Sequence, residues 1–357
     1  MSSRLDQYRN DVFGRDSNIT ANNDLQDYLR SQRKTRASLS RKDLQNHTDV
    51  KCFVSPNFAN LASLIVVISL YFSLGFMGWG RDIKGTYEQI SFKYEGLLTP
   101  AYWVVVSSWI TIFLSEAIFI MYSFFNSYSH LSIIQEGVSF FFFFVNCFQI
   151  GWIISYCFEV IWLAFLFMAV NVICLIWLNF NLYYQDSINK TPRLNLNNSE
   201  PTLPQDRPTP QGPELERMNL LYEWLVFRLP FQIHLGWCLF VLIVNFNDMA
   251  IAQNWETGSG IIGLCSVIAM WLIGIYVLFY PKYPAFMIPL TISWACMGVW
   301  INLGDPSQQL KATYETKVLA RMHGAIVATC IEHLLIAMIR FIFKFLSAYQ
   351  ILEREEN

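Results

Sequence analysis

From Val138 to Tyr156 no charged side chain interrupts the chain, and comparable apolar runs recur along its length. A run of about 20 such residues matches the roughly 30 Å hydrocarbon core of a bilayer. Backbone polar groups in lipid must be satisfied within the segment, which restricts runs of this length to helices. Composition agrees: 54% of residues are apolar and 15% are Asp, Glu, Lys or Arg, against about 25% charged in a soluble protein. These features exclude a soluble enzyme domain. A net charge of -2 gives no basic field for nucleic acid.

A membrane-length window predicts eight helices. They are Phe58–Gly78, Pro100–Phe124, Val138–Tyr156, Val160–Tyr183, Trp224–Asn247, Gly260–Tyr280, Pro284–Leu303 and Ala325–Phe345. The expected fold is all-α, a polytopic transmembrane helical bundle of about eight spans. Cys157–Glu159 is either a very tight hairpin or part of one long tilted helix with a re-entrant piece. The predicted organisation is a polar tail (1–55), a four-helix half (56–183), a Pro-rich linker (184–223), a second four-helix half (224–347) and a charged tail (348–357).

Of 25 Lys and Arg, the eight-span reading puts 19 on the side of the termini and linker and six on the other. The positive-inside rule therefore places both termini and the linker on the inner, positive side. Residues 192–213 hold six prolines and read as an extended spacer. The tail carries seven acids and a basic stretch, Arg30–Lys42. Segments of this composition are ordered only against something else, and a neighbouring subunit is the simplest candidate.

The eight cysteines include no Cys-x-x-Cys pair, and seven fall in apolar runs, so they read as free structural thiols. No apolar h-region opens the first 50 residues, so no secretory signal is expected.

Soluble-enzyme motifs are absent from the sequence, and no catalytic residue, metal or cofactor is predicted. The candidates are ionisable groups at membrane depth. Glu116 lies about two thirds of the way through the second span, and either pairs with a basic group such as Arg228 or stays protonated. His234 and His333 enter from opposite sides, about 15 Å and 12 Å deep at 1.5 Å per residue. Two histidines at matched depth can hold a b-type haem. Bulky neighbours such as Phe231, Leu235, Trp237 and Leu334 argue for packing instead, and no haem is expected.

Two segments carry a resemblance. Phe92-Lys-Tyr-Glu-Gly-Leu-Leu-Thr-Pro-Ala-Tyr-Trp103, followed by Ser108-Trp109 and Phe113–Tyr122, resembles the helix entry of tryptophan-rich sensory proteins of the translocator-protein family. Phe227-Arg-Leu-Pro-Phe-Gln-Ile-His-Leu-Gly-Trp237, then Val244-Asn245 and Asn254-Trp255, is similar to a second entry in the same proteins. Together they cover about 65 residues in matching order. The resemblance implies a helical membrane protein that binds porphyrins, sterols or other flat apolar molecules, often in mitochondrial or bacterial membranes. Trp103, Trp109, Pro230 and Trp237 occupy its motif positions. The translocator fold has five helices, so ligand chemistry does not transfer residue by residue.

Two functions are expected from these readings. The first is a non-catalytic accessory or scaffold subunit of a larger membrane complex, leaning to the mitochondrial inner membrane, with lipids and neighbouring membrane subunits as partners and no nucleic acid. The alternative is binding or transport of flat amphipathic ligands. The ligand candidates are Trp103, Trp109, Glu116, His234, Trp237 and His333.

Overall fold

Long apolar helices that bury only one face stay together in lipid by close packing and by polar contacts between helices, and both devices organise this bundle. The computed structural model describes residues 56–80, 83–124, 137–190, 224–255, 259–279 and 285–356. The expectations for residues 1–55 and 192–213 lie outside them.

The described helices are α1 (Pro56–Leu70, continued by a π turn, Tyr71–Phe76), α2 (Tyr87–Lys93), α3 (Tyr102–Ser123), α4 (Phe141–Cys157), α5 (Ile161–Lys190), α6 (Leu229–Ala252, preceded by a π turn, Trp224–Arg228), α7 (Ser259–Phe279), α8 (Met287–Gly304), α9 (Gln308–Thr313) and α10 (Thr316–Glu356). Each of the eight predicted spans is a helix. Seven of the described helices are long and apolar enough to cross a membrane, and the apolar α4 is shorter, at 17 residues. The bundle is the all-helical, polytopic one expected, with α4 shorter than its predicted span. The cause is local: Ser139 has φ 42°, a left-handed backbone that cannot continue a helix, so α4 starts three residues late. It still traverses the bundle. Ser139 O at one end accepts from Asn60 Nδ2, and Cys157 O at the other accepts from Lys84 N.

The Cys157–Glu159 connection is a tight hairpin. Glu159 takes φ 63° and the chain reverses directly into α5, against which α4 packs along its length. Two other boundaries move. α5 runs to Lys190, into the predicted linker, and α10 runs from Thr316 to Glu356, through the predicted charged tail. At 41 residues α10 is about 60 Å long, twice the thickness of a hydrocarbon core.

One core joins the helices on both sides of the linker, with Trp109, Trp152 and Trp237 fully buried in it. α6 is the hub. It packs on α3, α5, α7 and α8, and at 61% its apolar window is the most buried of the spanning helices. Its start suits the sequence, because Pro230 stands in the first turn, where no backbone N–H is needed. Gly236 lets α8 approach closely: a Cβ there would lie 2.8 Å from Ile288 O. α8 meets α3 in the same way, with Gly298 against Val104 at 2.9 Å and Ala101 N donating to Gly298 O at 2.9 Å.

Two ends can be told apart. One carries Asn57, whose amide donates to Ser123 O, together with Trp224 stacked on Phe286. The other carries α2, Glu95 and α9, where Asn302 Nδ2 and Ser307 Oγ both donate to the buried Glu95 carboxylate.

Candidate functional site

α6 divides its side chains among three surroundings, because a helix turns about 100° per residue. His234 and Trp237 project toward α3. There His234 Nδ1 stands 2.6 Å from Glu116 Oε1, and neither side chain is exposed. Trp109 packs edge-on against both, its ring 6.1 Å from His234 and 6.1 Å from Trp237. Four of the six candidates thus form one cluster. The expected partner of Glu116 is corrected: His234 reaches it, one and a half turns deeper than Arg228 on the same strand of chain. In the tautomer that carries hydrogen on Nδ1, this N–H donates to the Glu116 oxygen and Nε2 is the acceptor nitrogen.

The other two candidates lie elsewhere. Trp103 is half exposed and packs edge-on against Trp294 at 5.8 Å. His333 is fully buried, with Nδ1 3.0 Å from Thr329 O and 2.7 Å from Glu332 Oε2. It faces Gly274 of α7, where a Cβ would come within 3.1 Å of Nε2. The two histidines therefore serve separate surroundings. Among the described residues, no group of three or more His, Cys, Asp or Glu is placed to hold a metal ion.

Two clefts open on the flanks of α6. One, of about 410 Å³, lies among α3, α6, α8 and α10. Ser108, Thr111, Trp237, Thr291, Trp294 and Cys330 are among its lining residues. Trp294 Nε1 donates to Ser108 Oγ at 3.1 Å, joining two of its walls. The second, of about 490 Å³, lies among α5, α6, α7 and the start of α8. It is apolar apart from Asn179, Arg228, Gln232 and two tyrosines, Tyr183 and Tyr276. Both volumes fall in the range of small-molecule sites, about 300–1,000 Å³.

A family model described as TSPO-like protein matches residues 57–338, from the start of α1 well into α10. The chain belongs to the TSPO-like family. The match extends the sequence resemblance from its two helix entries to nearly the whole bundle, including the helices beyond the two motif segments. No curated protein and no solved structure matches this TSPO-like chain.

Sequence reasoning missed Asp248, which is buried near the far end of α6 and accepts from Tyr156 OH at 3.1 Å. The predicted span ended at Asn247, one residue short. A lone carboxylate bordering an apolar run was the available signal. Tyr71 and Gln149, also buried beside Trp109 and Trp152, carried no comparable signal.

Proposed function

We propose that this TSPO-like protein acts by binding, without catalytic chemistry of its own, and that it takes flat amphipathic molecules of porphyrin or sterol type from the bilayer. The observation that carries this reading is the 410 Å³ cleft. It draws its walls from both motif helices, α3 and α6, and combines an apolar surface with indoles and a few hydroxyls. Flat ring systems stack on indole faces, and a small number of fixed polar groups sets their orientation. Trp103 and Trp109 act through this cleft's walls, one against Trp294 and the other against Trp237.

The accessory-subunit expectation drew on residues 1–55 and 192–213, which lie outside the described residues, whereas ligand binding draws on geometry within the bundle. The Lys and Arg asymmetry supports an orientation with the Trp224 end of the bundle inward. A mitochondrial inner membrane rests on family analogy and belongs to the same proposal.

A photoactivatable porphyrin or sterol probe, added to the full-length protein in lipid, tests the reading. Labelling should concentrate on the cleft-lining segments of α3, α6 and α8. Labelling confined to the lipid-facing residues of α7 and α10 would contradict it.

A further inference from the structure

The third face of α6 looks into the bundle, away from both clefts. From one end to the other it presents Phe231, His234, Cys238, Asn245 and Asp248, all buried. Around it stand Tyr71 of the first π turn, Trp109 and Glu116 of α3, Gln149, Trp152 and Tyr156 of α4, and Asn171 of α5, each at most 2% exposed. Asn171 Nδ2 reaches Cys238 Sγ at 3.7 Å. Tyr71 faces Gln149 and lies within electrostatic reach of Cys238 and Tyr87. Tyr87 stacks on Tyr156 at 5.1 Å, and Tyr156 OH donates to Asp248. The column from His234 to Asp248 spans 14 residues of α6, about 21 Å.

Two observations mark this column as more than packing. Glu116 Oε2, Asn171 Oδ1, Asn245 Nδ2 and the ring N–H groups of Trp109 and Trp152 are all buried without a hydrogen-bond partner. Proteins leave few such atoms, and internal water is their usual partner. A concentration of them along one line needs a chain of small polar occupants. Secondly, one end of the column is closed by packed rings. Beyond Glu116 and His234, Phe119, Phe142, Phe227 and Phe231 pack ring against ring at 5.0–6.2 Å. At the opposite end Tyr87, 7% exposed, opens α2 directly before the exposed Glu88.

We propose that the Glu116–His234 pair is a proton-binding site, reached from the Glu88 end of the bundle through a hydrated polar half-path and sealed from the other end by the four phenylalanines. A proton enters at Asp248. Tyr156, Tyr87, Tyr71 and the bridging waters each give up one proton and accept one, so their bonding is restored after each passage. One proton is delivered to His234 Nε2, and the pair gains one unit of positive charge. No electron moves and no other reactant is needed. The titratable group facing the pair is Cys238 of α6, which Tyr71 of the first π turn faces in turn. Those facing Asp248 are Tyr156 and Tyr87, with Cys157 beside Tyr87. The Phe cluster acts as a hydrophobic constriction, which excludes a water chain by dewetting. This inference concerns a face of α6 that the ligand cleft does not use, so either can fail without the other.

The test uses the full-length protein in liposomes enclosing a pH-sensitive dye. The wild type should conduct no protons in steady state. Phe231→Ala should open the seal and raise proton flux at least tenfold, and Glu116→Gln or Asp248→Asn in that background should return it to the wild-type level. A Phe231→Ala flux unaffected by either second substitution would overturn the proposal, as would folded Phe231→Ala protein with no flux. Should Phe231→Ala fail to fold, wild-type protein labelled with ¹⁵N-histidine decides. His234 Nε2 should change protonation with external pH, and Asp248→Asn should slow that exchange at least tenfold. A His234 signal indifferent to pH, or exchange unchanged by Asp248→Asn, would overturn it equally.

Discussion

Glu116 and His234, 118 positions apart in the chain, meet at 2.6 Å in the middle of the bundle with no exposed surface on either side chain. The pair ties α3 to α6, the two helices that carry the family motifs. Removing one member strands the other in a low-dielectric interior, which typically costs about 3–5 kcal/mol. His234→Ala and Glu116→Ala should each lower the thermal unfolding midpoint sharply, and the double variant should cost much less than the sum of the two. Additive losses in a double-mutant cycle would show that the two groups are not coupled.

Close approach of α6 and α8 depends on Gly236. A methyl group there would meet Ile288 O at 2.8 Å and Thr291 Cβ at 2.9 Å, and backbone cannot step aside as a side chain can. Gly236→Ala should destabilise the protein by about 1–3 kcal/mol. Gly324, on α10, has nothing within 4 Å of the same position. Gly324→Ala should therefore stabilise by up to about 1 kcal/mol through helix propensity. Unfolding of the two variants in detergent would check both signs together.

Outside the spans, the α4–α5 hairpin carries its own acid dependence. Lys93 donates to Glu159 Oε1, and Tyr94 OH donates to the same oxygen at 2.7 Å. Lys93 first, then Tyr94, holds the Glu159 carboxyl below its ordinary range. A carboxyl lowered in the folded state contributes stability that is complete above its unfolded pKa, about 4.3, and is lost as pH falls through its folded value. Glu159→Gln should flatten that part of the stability curve in acid and leave neutral-pH dependence unchanged. An identical acid slope in the variant would assign it to other groups.

Three traverses, α6, α7 and α8, separate residues 192–213 from the α8–α10 connection, so the two lie on opposite faces. Single cysteines introduced at Ser199 and Gln309 in a background lacking the native thiols should react with an impermeant reagent from opposite sides. Reaction from one side only would remove the eight-traverse topology.

Apolar runs made all eight traversing helices legible, because lipid leaves so few alternatives for a charge-free segment. Their ends were less legible. The start of α4 depends on the left-handed Ser139, and the start of α10 lies among Lys317, Arg321 and His323, which hydropathy reads as loop. The short α2 escaped the same window although Thr86 and Gln89 form a capping box that a residue-level reading can find. Position along each span was also readable, about two thirds of the way for Glu116 and the eleventh residue for His234. Direction around the helix was not, since it depends on which neighbours α6 acquires. That is why the sequence points to Arg228, and not to His234, as a partner for Glu116.

Binding in the cleft between α3, α6, α8 and α10 is tested most directly by filling it. Thr111 lines that cleft from an exposed position on α3, so a larger side chain can occupy the space without entering the core. Full-length protein in lipid should bind a porphyrin saturably, followed by the change in its absorbance. Thr111→Trp should weaken that binding at least tenfold, about 1.4 kcal/mol, while Thr111→Ser should leave it unchanged. Equal affinity in wild type and Thr111→Trp, or absorbance changes that never saturate, would contradict the account.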